Sequence, residues 1–200
     1  MATALHRDSR SLDEFLAWEE EQPERHERIG GVVHAMVGGS LRHNRITRNV
    51  VVLLNGAALP GCEAFFTAIK VVTPAEDVMY PDVLVACGQL DGRATFLDAP
   101  VVLVEVLSPS TQRLDHTRKR WAYATIPSLR HYLLVGQDEP VVEVCSWRED
   151  GSWLSVIHRD PAAVAALPAL GIELPCSEIF AGVTFEAAGR SSADSLSPLE

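Results

Sequence analysis

Two acidic residues, Asp82 in YPDVLVAC and Glu105 in VVLVEVLSPST, stand in runs that are otherwise apolar. Four apolar residues precede Glu105 and two follow it, the pattern of a strand buried on both faces. A carboxylate there costs several kcal/mol, on the order of 2–7, unless something compensates it. The two runs read as consecutive strands joined by about a dozen residues. If they pair as an antiparallel hairpin turning near Arg93 and Ala94, Asp82 lies directly opposite Glu105, with Cβ atoms ~4.5–5.5 Å apart. Facing carboxylates repel, so the pairing predicts a cation between them. Oxygen ligands with water suit Mg²⁺ or Mn²⁺. The inference depends on register, because a slip of one residue would turn the two acids to opposite faces.

The segment SPSTQRLDHTRKRWAYA supplies a third group. Ser108, Ser110 and Thr111 are candidate helix caps, and Pro109 suits an early helical position. At 100° per residue, Gln112, Lys119 and Tyr123 share one face within ~40°, with Asp115 at its edge. The helix starts where Glu105's strand ends, so Lys119 can reach back toward the carboxylates. An ammonium there could orient a water or stabilise charge developing on phosphate. Each residue also has a plainer reading. Asp82 after Pro81 is a common turn residue, Glu105 could pair with an arginine inside the core, and Lys119 could be a solvated member of Arg118–Lys119–Arg120. Convergence of the three favours the chemical reading.

The elements that position them alternate in period. Residues 10–22 read as an amphipathic helix stopped by Pro23, and Gly30–Gly31 as a turn between two short strands. LRHNRITRNVVVLLNGAAL has helical spacing, and CEAFFTAIKVVT, PDVLVAC and VVLVEVL are strand-like. RHYLLVG is a further strand, and VVEVCSW and SWLSVIH flank REDG as a hairpin. LPALGIELPCSEIF adds a strand and a helical turn. The expected fold class is α/β (mixed α+β), one central mixed sheet flanked by helices. A single domain spans 1–186, and 187–200 form a small, polar, disordered tail.

Composition narrows the class. The chain has 200 residues, 47% of them hydrophobic, enough for one substantial core. No apolar run reaches the ~18–20 residues of a membrane span, and the first residues lack the apolar core of a signal peptide. A cytoplasmic protein with no membrane partner is expected. Four dispersed cysteines form no zinc motif, and Cys87 and Cys145 are expected to be reduced, buried and inert. The net charge of −10 argues against a broad basic surface for nucleic acid, though not against a local basic cleft.

The ordered set HERIGGVVHAM, GGSLRHNRI, YPDVLVAC, VLVEVLSPST, Lys119 with Tyr123, and IPSLRHYLLV resembles the Uma-type restriction endonuclease family of the PD-(D/E)XK nuclease superfamily, over roughly residues 10–180. The resemblance implies a restriction-endonuclease-like fold and Mg²⁺- or Mn²⁺-dependent hydrolysis of phosphodiesters in nucleic acid, DNA before RNA. It implies Asp82, Glu105 and Lys119 as catalytic residues, with Asp82, Glu105 and the Val106 carbonyl as metal ligands. Glu27 is a further candidate acid, and Gln112 and Tyr123 are additional candidates. The superfamily's lysine stands two residues after the glutamate, where this chain has Leu107; Lys119 corresponds to a lysine migrated to the next helix. His43 and Asn44 match a family pair to which no role attaches, His43 reading as a polar residue on the solvent side of its helix. Two alternatives stand beside the endodeoxyribonuclease: a nuclease-like module that binds or regulates without cleaving, and a structural protein with Glu105 in a core ion pair. The hairpin at 141–158 is a candidate contact for a homodimer.

Overall fold

The computed structural model describes residues 4–185 apart from 37, 58, 67, 108–117 and 149. Gln112, Asp115, the proposed caps Ser108, Ser110 and Thr111, and the 187–200 tail lie outside the described residues.

Local signals set the first elements. After β1 (Ala4–Arg7), α1 (Leu12–Glu20) begins with a capping box in which Ser11 and Glu14 each take the other's backbone N–H. Strands β2 (His26–Ile29) and β3 (Val32–Ala35) meet at Gly30 and Gly31, whose φ values of 58° and 71° require the left-handed conformation of a two-residue hairpin turn. Ser40 caps α2 (Leu41–Gly56), which buries Ile46, Val50 and Leu54 on one side.

Strands β4 (Cys62–Phe66), β5 (Lys70–Val72), β6 (Val78–Met79), β7 (Val83–Cys87), β8 (Phe96–Leu97) and β9 (Pro100–Leu107) follow. The short helix α3 (Arg120–Tyr123) crosses from β9 to β10 (His131–Gly136), so these two strands run parallel. The chain continues through β11 (Val142–Trp147), β12 (Trp153–His158), β13 (Val164–Leu167), β14 (Ile172–Pro175) and α4 (Cys176–Ile179).

The strands form two six-stranded sheets rather than the single sheet expected. One has the order β1-β3-β2-β6-β5-β8, the other β12-β11-β10-β9-β7-β4, and β13 and β14 pair separately. The apolar run CEAFFTAIKVVT divides between the two sheets because the chain turns after Phe66, with Ala68 at φ 87°, before β5 begins. The expected hairpin of β11 and β12 is present, paired from Val142–His158 to Trp147–Trp153.

Alternation along β9 sorts its side chains between two cores. Val102, Val104 and Val106 join Ile46, Val50 and Leu54 of α2 in one core. Leu103 and Leu107 join Tyr123, Tyr132 and Leu134 on the other face, the parity that Glu105 shares.

The cysteine expectation is corrected. Cys62 and Cys87 sit opposite each other in the β4–β7 pair and are disulfide-bonded, and Cys87 is exposed. Directly opposed residues of a strand pair lie close enough to be bridged, which a reading based on sequence spacing cannot detect. Cys145 and Cys176 are free and buried.

Candidate active site

The expected register of β7 and β9 is observed: Val83 opposes Val104, Leu84 opposes Leu103, and Val85 opposes Val102. Continued one residue outward, it sets Asp82 against Glu105. Asp82 stands in the link between β6 and β7, where the chain leaves one sheet for the other. Its carboxylate is tied to the end of β9 by the Val106 N–H, which donates to Oδ2 at 2.7 Å.

Glu105 is buried, 4% exposed. Its Oε1 accepts from Lys119 Nζ at 3.0 Å and from the Tyr123 hydroxyl at 3.0 Å. Lys119, also 4% exposed, reaches Glu27 Oε1 at 2.8 Å. A single ammonium therefore bridges carboxylates from both sheets, Glu27 on β2 and Glu105 on β9. Burial and the neighbouring Glu105 charge hold the Tyr123 phenol well above its usual range, so it remains a neutral donor. Its ring packs edge-on against Tyr132 at 5.2 Å.

Lys119 directly precedes Arg120 of α3 with its backbone already helical, and the side chains that follow it anchor the helix. Tyr123 in the core is one anchor and Arg120 is another. In register, Glu105, Leu134 and Glu143 lie in one row across β9, β10 and β11. Arg120 Nη2 donates to Glu143 Oε1 at 2.7 Å, and the Ser155 hydroxyl donates to the same oxygen at 2.5 Å. Burial alone would raise the Glu143 pKa, but these hydrogen bonds and the Arg120 charge lower it. Adjacent cations of α3 thus engage two carboxylates of one row, Lys119 at Glu105 and Arg120 at Glu143.

Glu27 is fixed from a second direction. Its Oε1 accepts from the Tyr80 N–H at 2.9 Å, and the Tyr80 hydroxyl donates to Glu19 Oε1 of α1 at 2.8 Å. Glu19 in turn pairs with buried Lys70 of β5 at 3.0 Å. Opposite Glu27 on β3 is His34, 5% exposed, with Nε2 unbonded among the described residues. Burial, then Arg118 and Lys119, lowers its pKa.

Among the sequence-derived candidates, the structure brings Glu27, Glu105, Lys119 and Tyr123 into contact and places Asp82 at the adjacent strand end. Gln112 lies outside the described residues. Sequence reasoning missed His43, whose Nε2 is 3.2 Å from Asp82 Oδ2 and which faces the site rather than solvent. It also missed Arg120, Glu143, Tyr80 and the Glu19–Lys70 pair. Glu19 alone left a signal, an acid on the apolar side of α1. Among the described residues, no three His, Cys, Asp or Glu side chains cluster at metal-binding spacing.

The sequence matches the Uma2 family, "Putative restriction endonuclease", over residues 12–177. The chain belongs to this family. Two uncharacterized proteins of Synechocystis sp. (strain ATCC 27184 / PCC 6803 / Kazusa) are similar. The chain is 33% identical to slr1290 over 178 residues, 88% of this chain and 93% of that one. It is 33% identical to sll1609 over 146 residues, 70% and 82% of the two chains. A solved structure from Anabaena variabilis ATCC 29413, described as "a putative nuclease belonging to DUF820", superposes with a TM-score of 0.69 at 22% identity. The match covers 86% of this chain and 97% of that one. The Uma2 chain therefore has the restriction-endonuclease-like fold expected of it. Lys119, Glu27, Glu105 and Asp82 all fall within the matched range.

Proposed function

We propose that this Uma2 chain is a metal-dependent endonuclease that hydrolyses phosphodiester bonds in nucleic acid, DNA before RNA. The observation that carries the reading is the Lys119 ammonium 3.0 Å from Glu105 and 2.8 Å from Glu27, with Asp82 tied to the end of the strand that carries Glu105. The strand pairing that sets Asp82 against Glu105 puts two carboxylates at one strand end, the oxygen donors that a divalent cation takes. The donor set fits Mg²⁺ or Mn²⁺, since such ions bind through one or two carboxylates and keep several waters.

Asp82 and Glu105 would hold the ion, with the Val106 carbonyl as a further oxygen. A bound ion would polarise a phosphoryl oxygen and lower the pKa of its water. Lys119 would stabilise charge on the phosphoryl group, and Tyr123 would hold Glu105 in place. Glu27 would keep the ammonium directed at Glu105.

The test is cleavage of single- and double-stranded DNA and of RNA with Mg²⁺ or Mn²⁺. Cleavage that disappears with chelator and in folded Glu105→Ala supports the enzyme. The absence of cleavage on every substrate removes that reading. A second reading, a nuclease-like fold that binds without cutting, draws on the same contacts, because Lys119 is engaged by both Glu27 and Glu105. Mn²⁺ binding lost in Asp82→Ala and Glu105→Ala, together with no turnover, would favour it.

A further inference from the structure

Asp82, Glu105 and Lys119 leave His43 without a task, and its surroundings supply one. His43 lies in the first turn of α2, with Nε2 3.2 Å from Asp82 Oδ2. The turn is fixed on three sides. Ser40 Oγ accepts the His43 N–H at 3.0 Å and donates to Gln137 Oε1 at 3.0 Å, just past the end of β10. The Thr47 hydroxyl donates to the His43 carbonyl at 3.0 Å.

Gly39 adds an independent observation. A Cβ built on it would lie 2.9 Å from His43 Nδ1 and 3.2 Å from Cγ, whereas one on Gly38 would meet nothing within 4 Å. Gly39 does not have a positive φ, so its backbone does not demand glycine. What Gly39 provides is space for the imidazole where it stands, because an added Cβ would force the ring to shift.

We propose that His43 is a positioning residue for Asp82, and that Gly39 admits its ring to that contact. A carboxylate only accepts, so Nε2 carries the hydrogen whether the imidazole is neutral or protonated. The Val106 N–H donates to Oδ2 and the His43 imidazole stands 3.2 Å from the same oxygen, so the two together restrict how the carboxylate can turn about its side-chain bond. The contact stands without any metal. Its effect on metal affinity rests on Asp82 being a ligand, as proposed above.

Two measurements keep these apart. Nitrogen-15 NMR of the histidines should show an Nε2–H tautomer or imidazolium for His43, with a signal perturbed alike by Asp82→Ala and Gly39→Ala but not by Gly38→Ala. Calorimetric titration with Mn²⁺ should show affinity about tenfold weaker in His43→Ala and in Gly39→Ala, the usual range for the partner of a metal ligand. The double variant should be no worse than either single one, and His43→Gln, which retains an N–H donor, should recover part of the loss. A His43 signal unchanged by Gly39→Ala overturns the proposal, as do additive losses in the double variant. If the wild-type protein binds no Mn²⁺, the metal reading fails and the NMR result alone decides the His43–Gly39 coupling.

Discussion

Glu105 persists in a buried strand because its Oε1 takes two hydrogen bonds, one from an ammonium and one from a phenol. Such bonds offset the loss of hydration, and removing a donor exposes the cost. Tyr123→Phe should lower stability by about 1–2 kcal/mol, measured by urea unfolding, with little change in fold. Lys119→Ala leaves Glu27 and Glu105 without their shared cation and should cost about 3–5 kcal/mol in chelator. The same variant should retain Mn²⁺ binding and lose cleavage. Equal loss of both would contradict the catalytic role of Lys119.

At the scale of elements, α3 is tied to the sheet by Tyr123 at Glu105 and by Arg120 at Glu143. If Arg120 and Glu143 set its position, Arg120→Ala should slow cleavage on the order of 10–100-fold through misplacement of Lys119 while leaving Mn²⁺ affinity intact. Comparison of turnover with calorimetric affinity checks this, and a parallel fall in both would place Arg120 in the metal site instead. The β4–β7 pair carries the Cys62–Cys87 disulfide across a sequence separation of 25. Closing a loop of that size restricts the unfolded chain by about 3.5 kcal/mol. A reducing agent should therefore lower the melting temperature of the wild type but not of Cys62→Ser/Cys87→Ser.

For the whole molecule, acid sensitivity should come partly from His131, at the start of β10, where burial and then Arg130 push the imidazole down to about 4. Unfolded, it titrates near 6.5, so between these values the unfolded chain binds more protons. The associated stability is present above pH 6.5 and is lost as pH falls toward 4. Urea unfolding at pH 7, 6 and 5 should show this decline, and His131→Asn should flatten it. No helix among the described residues is long and apolar enough to cross a membrane.

Local chemistry made much of this legible from the sequence. Capping residues, the Gly30–Gly31 turn and period-two runs specify their elements through short-range bonds, and loop symmetry gave the β7–β9 register that aligns Asp82 with Glu105. Helical spacing likewise put Lys119 and Tyr123 on one face, and both reach Glu105 Oε1. Only the tertiary structure decided that the described strands divide between two six-stranded sheets and a separate pair, and that Glu27 and Glu105 meet at Lys119. It alone showed that Cys62 reaches Cys87, that Arg120 reaches Glu143, and that His43 turns toward Asp82. Those contacts, among them Lys119 to Glu27, join residues from about 20 to about 90 positions apart, a range over which the period of a single strand or helix carries no information. They are fixed by how strands cross between sheets and by how α2 and α3 pack against them.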